Sequence, residues 1–145
     1  MEEQITFFNS KRQKLKGILA TPEEKTDKVV VFCHGTNSDK NSSTNMQLTK
    51  KFLAENIATF RFDFFAHGES EGNFEDISLT EGIDDATQAV ELVKKKGFQR
   101  IGLFGSSYGG AVCIGTAVES EFVDVLGLKC PVIDWPAGWQ KKLGE

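Results

Sequence analysis

The chain has 145 residues, of which 39% are hydrophobic and 26% charged, and it carries a net charge of −4. That is enough chain for one domain with a real core. The acidic balance gives no electrostatic reason to expect nucleic acid as a partner.

In chain order, the pattern alternates strands and helices. Residues Gln4–Asn9 and Lys14–Thr21 read as two strands joined by a short polar connection, an antiparallel pair at a sheet edge. Lys28–Cys33 contains VVVFC, the continuous run of a strand buried on both faces. Asn45–Glu55 reads as a helix, with Met46, Phe52 and Leu53 toward the core and Asn56 as a left-handed cap. Ile57–Phe62 is a second buried strand. Ser78–Lys96 is the clearest helix. Ser78 and Glu81 suggest a capping box, Leu79, Ile83, Ala86, Val90 and Val93 recur at helical spacing, and Gly97 closes it. Arg100–Gly105 is a third buried strand, Tyr108–Ser120 a helix and Val125–Val132 a fourth strand. Such alternation predicts an α/β fold: a mostly parallel sheet with helices on both faces and an N-terminal antiparallel hairpin. Its ligand site is expected outside the carboxyl ends of the strands.

Other classes receive no support. The amino terminus, MEEQITFFNS, lacks a basic-then-apolar signal pattern. No stretch approaches the ~18 apolar residues of a membrane span. Cys33, Cys113 and Cys130 lie in apolar runs without a C-x-x-C pair, which predicts reduced, buried thiols in a cytoplasmic protein. With His34 and His67 as the only histidines, no metal site is expected, and no nucleotide or dinucleotide fingerprint calls for a cofactor.

Three loops carry chemistry. Gly105-Ser106-Ser107-Tyr108-Gly109-Gly110 fits G-x-S-x-G between a strand and a helix, the context that motif requires. Gly105 and Gly109 remove Cβ atoms from a tight turn, and Ser107 projects over the helix N-terminus, where the Tyr108 N–H can donate to an oxyanion. A Gly-rich turn that binds phosphate is the plainer alternative. Cys33-His34-Gly35-Thr36-Asn37 follows the VVVF strand. It can aim the Thr36 N–H at the same oxyanion, with His34 as a turn-shaping residue. Arg61 to Gly72, RFDFFAHGESEG, is a polar turn in which Asp63, His67 and Ser70 supply local hydrogen bonds. Asp63 and His67 are also candidates for an acid and base, although four residues apart in one tight loop.

H-G-T, R-F-D-F-x-x-H-G-x-S-x-G and G-x-S-Y-G-G, in this order, resemble the α/β-hydrolase superfamily. The likeness is to its branch of serine esterases, lysophospholipase-like, feruloyl-esterase-like and serine aminopeptidase-like proteins. Ala66 departs from the branch, which usually has Gly there, and Ser106 stands where esterases commonly have His. The resemblance implies Ser107 as nucleophile, the N–H groups of Thr36 and Tyr108 as oxyanion hole, and a small-molecule ester as substrate. S-Y-G-G keeps peptidase-like amide hydrolysis open.

In the family the acid and the histidine follow the nucleophile. No histidine follows Ser107 here, and a serine hydroxyl without a base is a poor nucleophile. The chain therefore reads as one partial domain, 1–145, ending after about the sixth strand and lacking the C-terminal strands and lid. Asp134 is an acid at an alternative position, or else the start of a lid segment. Three readings stay open: a serine ester hydrolase, an inert hydrolase-derived scaffold or association module, and an enzyme whose base is His34 or His67. The open sheet edge after Val132, with Trp135 and Trp139 just past it, predicts association with a second copy, as a dimer, or with another chain.

Overall fold

The structure, a computed structural model, describes residues 1–133. Asp134, Trp135 and Trp139 lie outside the described residues.

Strands β1 (Glu2–Phe8) and β2 (Lys14–Ala20) form the expected antiparallel hairpin. Asn9 shapes its turn: Oδ1 accepts the N–H groups of Lys11 and Gln13 at 3.1 and 3.0 Å, an asparagine bonding its own backbone neighbours. Strand β2 pairs antiparallel with β4 (Ala58–Asp63), which attaches the hairpin to a parallel sheet. Strands β3 (Lys28–Cys33), β4, β5 (Arg100–Ser106) and β6 (Val123–Lys129) run parallel, in the order β1-β2-β4-β3-β5-β6. Three helices alternate with these strands: α1 (Ser43–Ala54), α2 (Leu79–Lys95) and α3 (Tyr108–Glu119).

Successive side chains of a strand face opposite sides of the sheet. Phe60 and Phe62 of β4 face the main core, which they share with Phe7, Val90 and Val93 of α2 and Val112 of α3. Phe7 meets both rings edge-on, at 5.6 and 5.7 Å between centroids. Each such buried phenylalanine contributes about 1.5–3 kcal/mol. Thr59, on the opposite face, bonds Thr49 of α1 through its hydroxyl at 3.3 Å. Helices therefore cover both faces.

Helix α1 corrects one expectation. Met46, Phe52 and Leu53 are only half-buried, and the buried positions are Asn45 and Thr49. The cause is the surface the helix meets, because β4 presents Thr59, Arg61 and Asp63 on that side, all buried. A helix packed on polar groups must bring hydrogen-bonding side chains. Helix α2 keeps only half of its expected box. Ser78 Oγ accepts the Glu81 N–H at 3.1 Å, but the Glu81 carboxylate turns to Asn9 and Lys11 at 3.2 and 2.8 Å. Asn56 and Gly97 end their helices with φ of 56° and 102°.

Strand β6 starts earlier and stops sooner than its apolar run suggests. Cys130, with φ 45°, ends it and is exposed rather than buried, whereas Cys33 and Cys113 are buried free thiols. As expected of the last strand, β6 is an edge: among the described residues it pairs with β5 alone, and Val125, Leu126 and Leu128 are 66%, 39% and 39% exposed. On the α1 side, β3, β5 and β6 leave an open apolar groove of about 330 Å³, lined by Val30, Phe52, Ile57, Gly102, Phe104 and Val125 among others. Among the described residues, no helix is long and apolar enough to cross a membrane.

Candidate active site

Strand β5 runs directly into Ser107, which has φ 55° and ψ −117°, and α3 begins at the next residue. A non-glycine residue there costs about 1–3 kcal/mol unless its surroundings dictate it. Here they do. The Ser107 N–H donates to the Lys129 carbonyl at 3.0 Å, and the Ser107 carbonyl accepts from Gly110, Ala111 and Val132 at 3.0–3.2 Å. With the backbone so committed, Ser107 Oγ makes no hydrogen bond among the described residues. Gly105 and Gly109 have the tight surroundings the motif predicts. A Cβ on Gly105 would overlap the Gly109 carbonyl and Cys113 Sγ, and one on Gly109 would overlap the carbonyls of Cys33 and His34.

The H-G-T turn lies against this elbow. A Cβ on Gly35 would sit 3.5 Å from both Ser107 Cβ and the Ser106 carbonyl. Ser38 N–H closes the turn on the Gly35 carbonyl at 3.2 Å, with Asn37 left-handed at φ 60°. The Thr36 N–H has no hydrogen-bond partner among the described residues. Its neighbour His34 is buried and structural: Nε2 accepts the Phe64 N–H at 3.1 Å, so Nδ1 carries the proton and donates to the Gly35 carbonyl at 2.7 Å. Burial pushes its pKa down to about 4, against the pull of the Gly35 carbonyl. It is neutral near pH 7.

The third loop is likewise a turn. Asp63 accepts the Lys40 N–H at 2.7 Å, the Lys40 ammonium at 2.6 Å and the Glu69 N–H at 2.9 Å. Ser70 Oγ donates to the Asp63 carbonyl at 2.6 Å. His67 Nδ1 donates to the Phe65 carbonyl at 2.9 Å, and its buried Nε2 has no partner among the described residues. Asp63 and His67 do not bond each other, and among the described residues neither histidine bonds Ser107. Gly68 is left-handed at φ 50°, and a Cβ there would also overlap the Asp63 carboxylate. Ala66 is left-handed too, at φ 61°, a conformation that glycine adopts without penalty.

Two residues of the site region escaped sequence reasoning. Lys40 sits in a polar run that reads as solvated, yet its side chain is 3% exposed against Asp63 at 0%. Burial alone would lower its pKa, but Asp63 and Glu69 outweigh that and hold it above the ordinary lysine value. Asp85 of α2 accepts the Phe65 N–H at 2.8 Å and Asn9 Nδ2 at 3.0 Å. Burial nonetheless pushes its pKa up to about 7. The Tyr108 side chain adds another tie: its hydroxyl donates to the Ser78 carbonyl at 2.8 Å, fastening the elbow to the start of α2.

The same architecture occurs in solved proteins. An esterase from Pyrococcus furiosus superposes with a TM-score of 0.86 and 24% identity, over 99% of this chain and 55% of that one. An α/β hydrolase from a Penicillium species gives 0.85 and 22%, over 99% and 52%. Est1E from Butyrivibrio proteoclasticus, solved with ferulic acid bound, gives 0.77 and 25%, over 84% and 50%. This chain thus spans about half the length of each. No curated protein matches it. The six-stranded, mostly parallel sheet and its hairpin are those of the α/β-hydrolase superfamily. Within it, a match to the serine aminopeptidase S33 family model over residues 24–144 shows that the chain belongs to that hydrolase family.

Proposed function

We propose that this chain is the amino-terminal part of a serine hydrolase of small carboxylic esters, working through an acyl-enzyme at Ser107. The observation that carries this reading is the left-handed Ser107 between β5 and α3, with the Gly35 turn against its side chain. Ser107 Oγ attacks the ester carbonyl and gives its proton to a base. The oxyanion that forms accepts the N–H groups of Thr36 and Tyr108. Collapse expels the alcohol and leaves the acyl group on Oγ, and water then releases the acid. The reading needs no cofactor or metal, and we place the protein in the cytoplasm.

The base comes from outside residues 1–145. His34 spends both ring nitrogens on backbone groups, and His67 Nε2 is enclosed. An added segment or a second polypeptide supplies the histidine and its acid. Without them, an oxyanion hole alone still gives on the order of 10³-fold acceleration over water.

Incubation with a fluorophosphonate probe and with p-nitrophenyl acetate tests this. Slow labelling and slow turnover are expected, both abolished by Ser107→Ala. Absence of both in the native chain would favour an inert scaffold. Loss of activity in a folded His67→Ala or His34→Ala variant would instead make one of these the base. The family's aminopeptidase description and the S-Y-G-G ending favour a second reading, amide hydrolysis. Faster release from aminoacyl p-nitroanilides than from the ester would establish it.

The reading includes association through β6. An edge that is unpaired among the described residues and bears exposed Val125, Leu126 and Leu128 is a template for another chain. Sedimentation at micromolar concentration is expected to show a dimer or larger species, and Val125→Lys/Leu128→Lys to shift it toward monomer. A monodisperse native monomer would count against it.

A further inference from the structure

The segment from His34 to Lys40 is fastened at both ends to two consecutive residues of the third loop. At its start, the His34 imidazole accepts the Phe64 N–H at 3.1 Å. At its end, the Asp63 carboxylate takes both the backbone N–H and the ammonium of Lys40, at 2.7 and 2.6 Å. Between these fastenings lie the Gly35–Ser38 turn and the Thr36 N–H. The Lys40 ammonium also approaches Glu69 at 3.3 Å, but Glu69 is largely exposed.

The end fastening is chemically expensive. Desolvating two charges costs several kcal/mol per ion, and an apolar pair of similar size is often as stable. Closing the loop alone would not require it. What a carboxylate in three hydrogen bonds provides beyond closure is a fixed geometry. That matters here because an oxyanion donor acts only when held at its distance, and displacement by about 1 Å can cost on the order of 10²-fold in rate.

We propose that Lys40 is a positioning residue: paired with Asp63, it holds the 34–40 loop so that the Thr36 N–H points at the oxyanion formed on Ser107. The inference rests on the reading of Ser107 as nucleophile. Lys40 touches neither substrate nor Ser107 in this role and acts only through the loop.

The test compares the native chain with Lys40→Met and with Lys40→Met/Asp63→Asn. The double variant leaves no unpaired buried charge and so guards against simple misfolding. Two readouts are taken on each: the backbone amide resonances of Thr36 and Tyr108 by NMR, and the kinetics of fluorophosphonate labelling at Ser107. In the folded double variant, the Thr36 resonance is expected to shift or broaden while Tyr108 stays in place. The maximal labelling rate should fall about 10- to 100-fold with little change in probe affinity. A role in stability alone would lower the melting temperature and leave both readouts of the folded chain unchanged, which would overturn the proposal. Should the native chain fail to label while Thr36 still responds to the substitution, the nucleophile reading fails and the fastening of Thr36 by Lys40 stands.

Discussion

Gly109→Ala is expected to abolish the cooperative unfolding transition of this chain at 25 °C. A Cβ at position 109 would overlap the carbonyls of both Cys33 and His34. These are backbone atoms at the end of β3 and the start of the Gly35–Ser38 turn, so no side-chain rotation relieves the overlap. Ordinary overpacking costs about 1–3 kcal/mol because side chains can shift. Here α3 itself must lift from the sheet, and a loss of more than about 4 kcal/mol follows, comparable to much of the 5–15 kcal/mol that holds a typical domain. Gly102→Ala is the control. Its Cβ would lie 3.6–3.9 Å from the atoms of Val30 and Val125, in ordinary contact, and alanine suits a strand interior at least as well as glycine. Urea unfolding followed by far-ultraviolet circular dichroism should give a native-like midpoint for Gly102→Ala and no folded baseline for Gly109→Ala. Equal midpoints for the two would refute the packing argument.

The contrast shows what sequence patterns can and cannot carry. Gly109 belongs to a local motif: six consecutive residues encode the strand-to-helix turn that calls for it, although the backbone it lies against is that of Cys33 and His34. The VVVFC strand and the Ser78 cap were legible for a like reason, since each is written in the residue types of a few consecutive positions. Lys40 was not. Its partner Asp63 lies 23 residues away, and nothing in the run SDKNSS separates a buried lysine from a solvated one. Asn45 and Thr49 misled for a related cause. Their burial is fixed by the polar face of β4, so helical periodicity of apolar residues could not reveal which side of α1 faces inward. Strand β6 was legible as an edge of the sheet but not in its bounds. Its apolar run continues to Val132, but the strand ends at Lys129, because Cys130 turns left-handed at φ 45° and breaks the ladder. Ser107 itself was legible as an elbow, yet the left-handed Ala66 and the two fastenings of the Thr36 loop were visible only in three dimensions.

Between pH 4 and 6.5, His34 and Asp85 are expected to push stability in opposite directions and nearly cancel. His34 has its folded pKa lowered from 6.5 to about 4, mainly by burial. It stays neutral in the folded chain while the unfolded chain binds a proton, so its stabilising contribution is present above pH 6.5 and is lost as pH falls toward 4. The geometry says why: a second ring proton would sit on Nε2, where it would face the Phe64 N–H and break that bond. Asp85 has its folded pKa raised from 3.8 to about 7, again mainly by burial. The folded chain keeps that proton after the unfolded chain has released it, so its contribution is full below pH 3.8 and is lost as pH rises through 7. Each slope is about 1.4 kcal/mol per pH unit, with opposite sign. Urea melts at pH 4.5, 5.5 and 6.5 test this, read as differences from the native chain so that shared groups drop out. Relative to the native chain, Asp85→Asn should gain stability with rising pH, by roughly 3 kcal/mol over that range. His34→Gln should lose a similar amount. Profiles for both variants that run parallel to the native one would show that neither group titrates differently on folding. A slope confined to His34→Gln would leave His34 as the titrating group and place Asp85 outside the balance. The 34–40 loop depends on the same proton, because the His34 tautomer that accepts from Phe64 is the one that holds its first fastening.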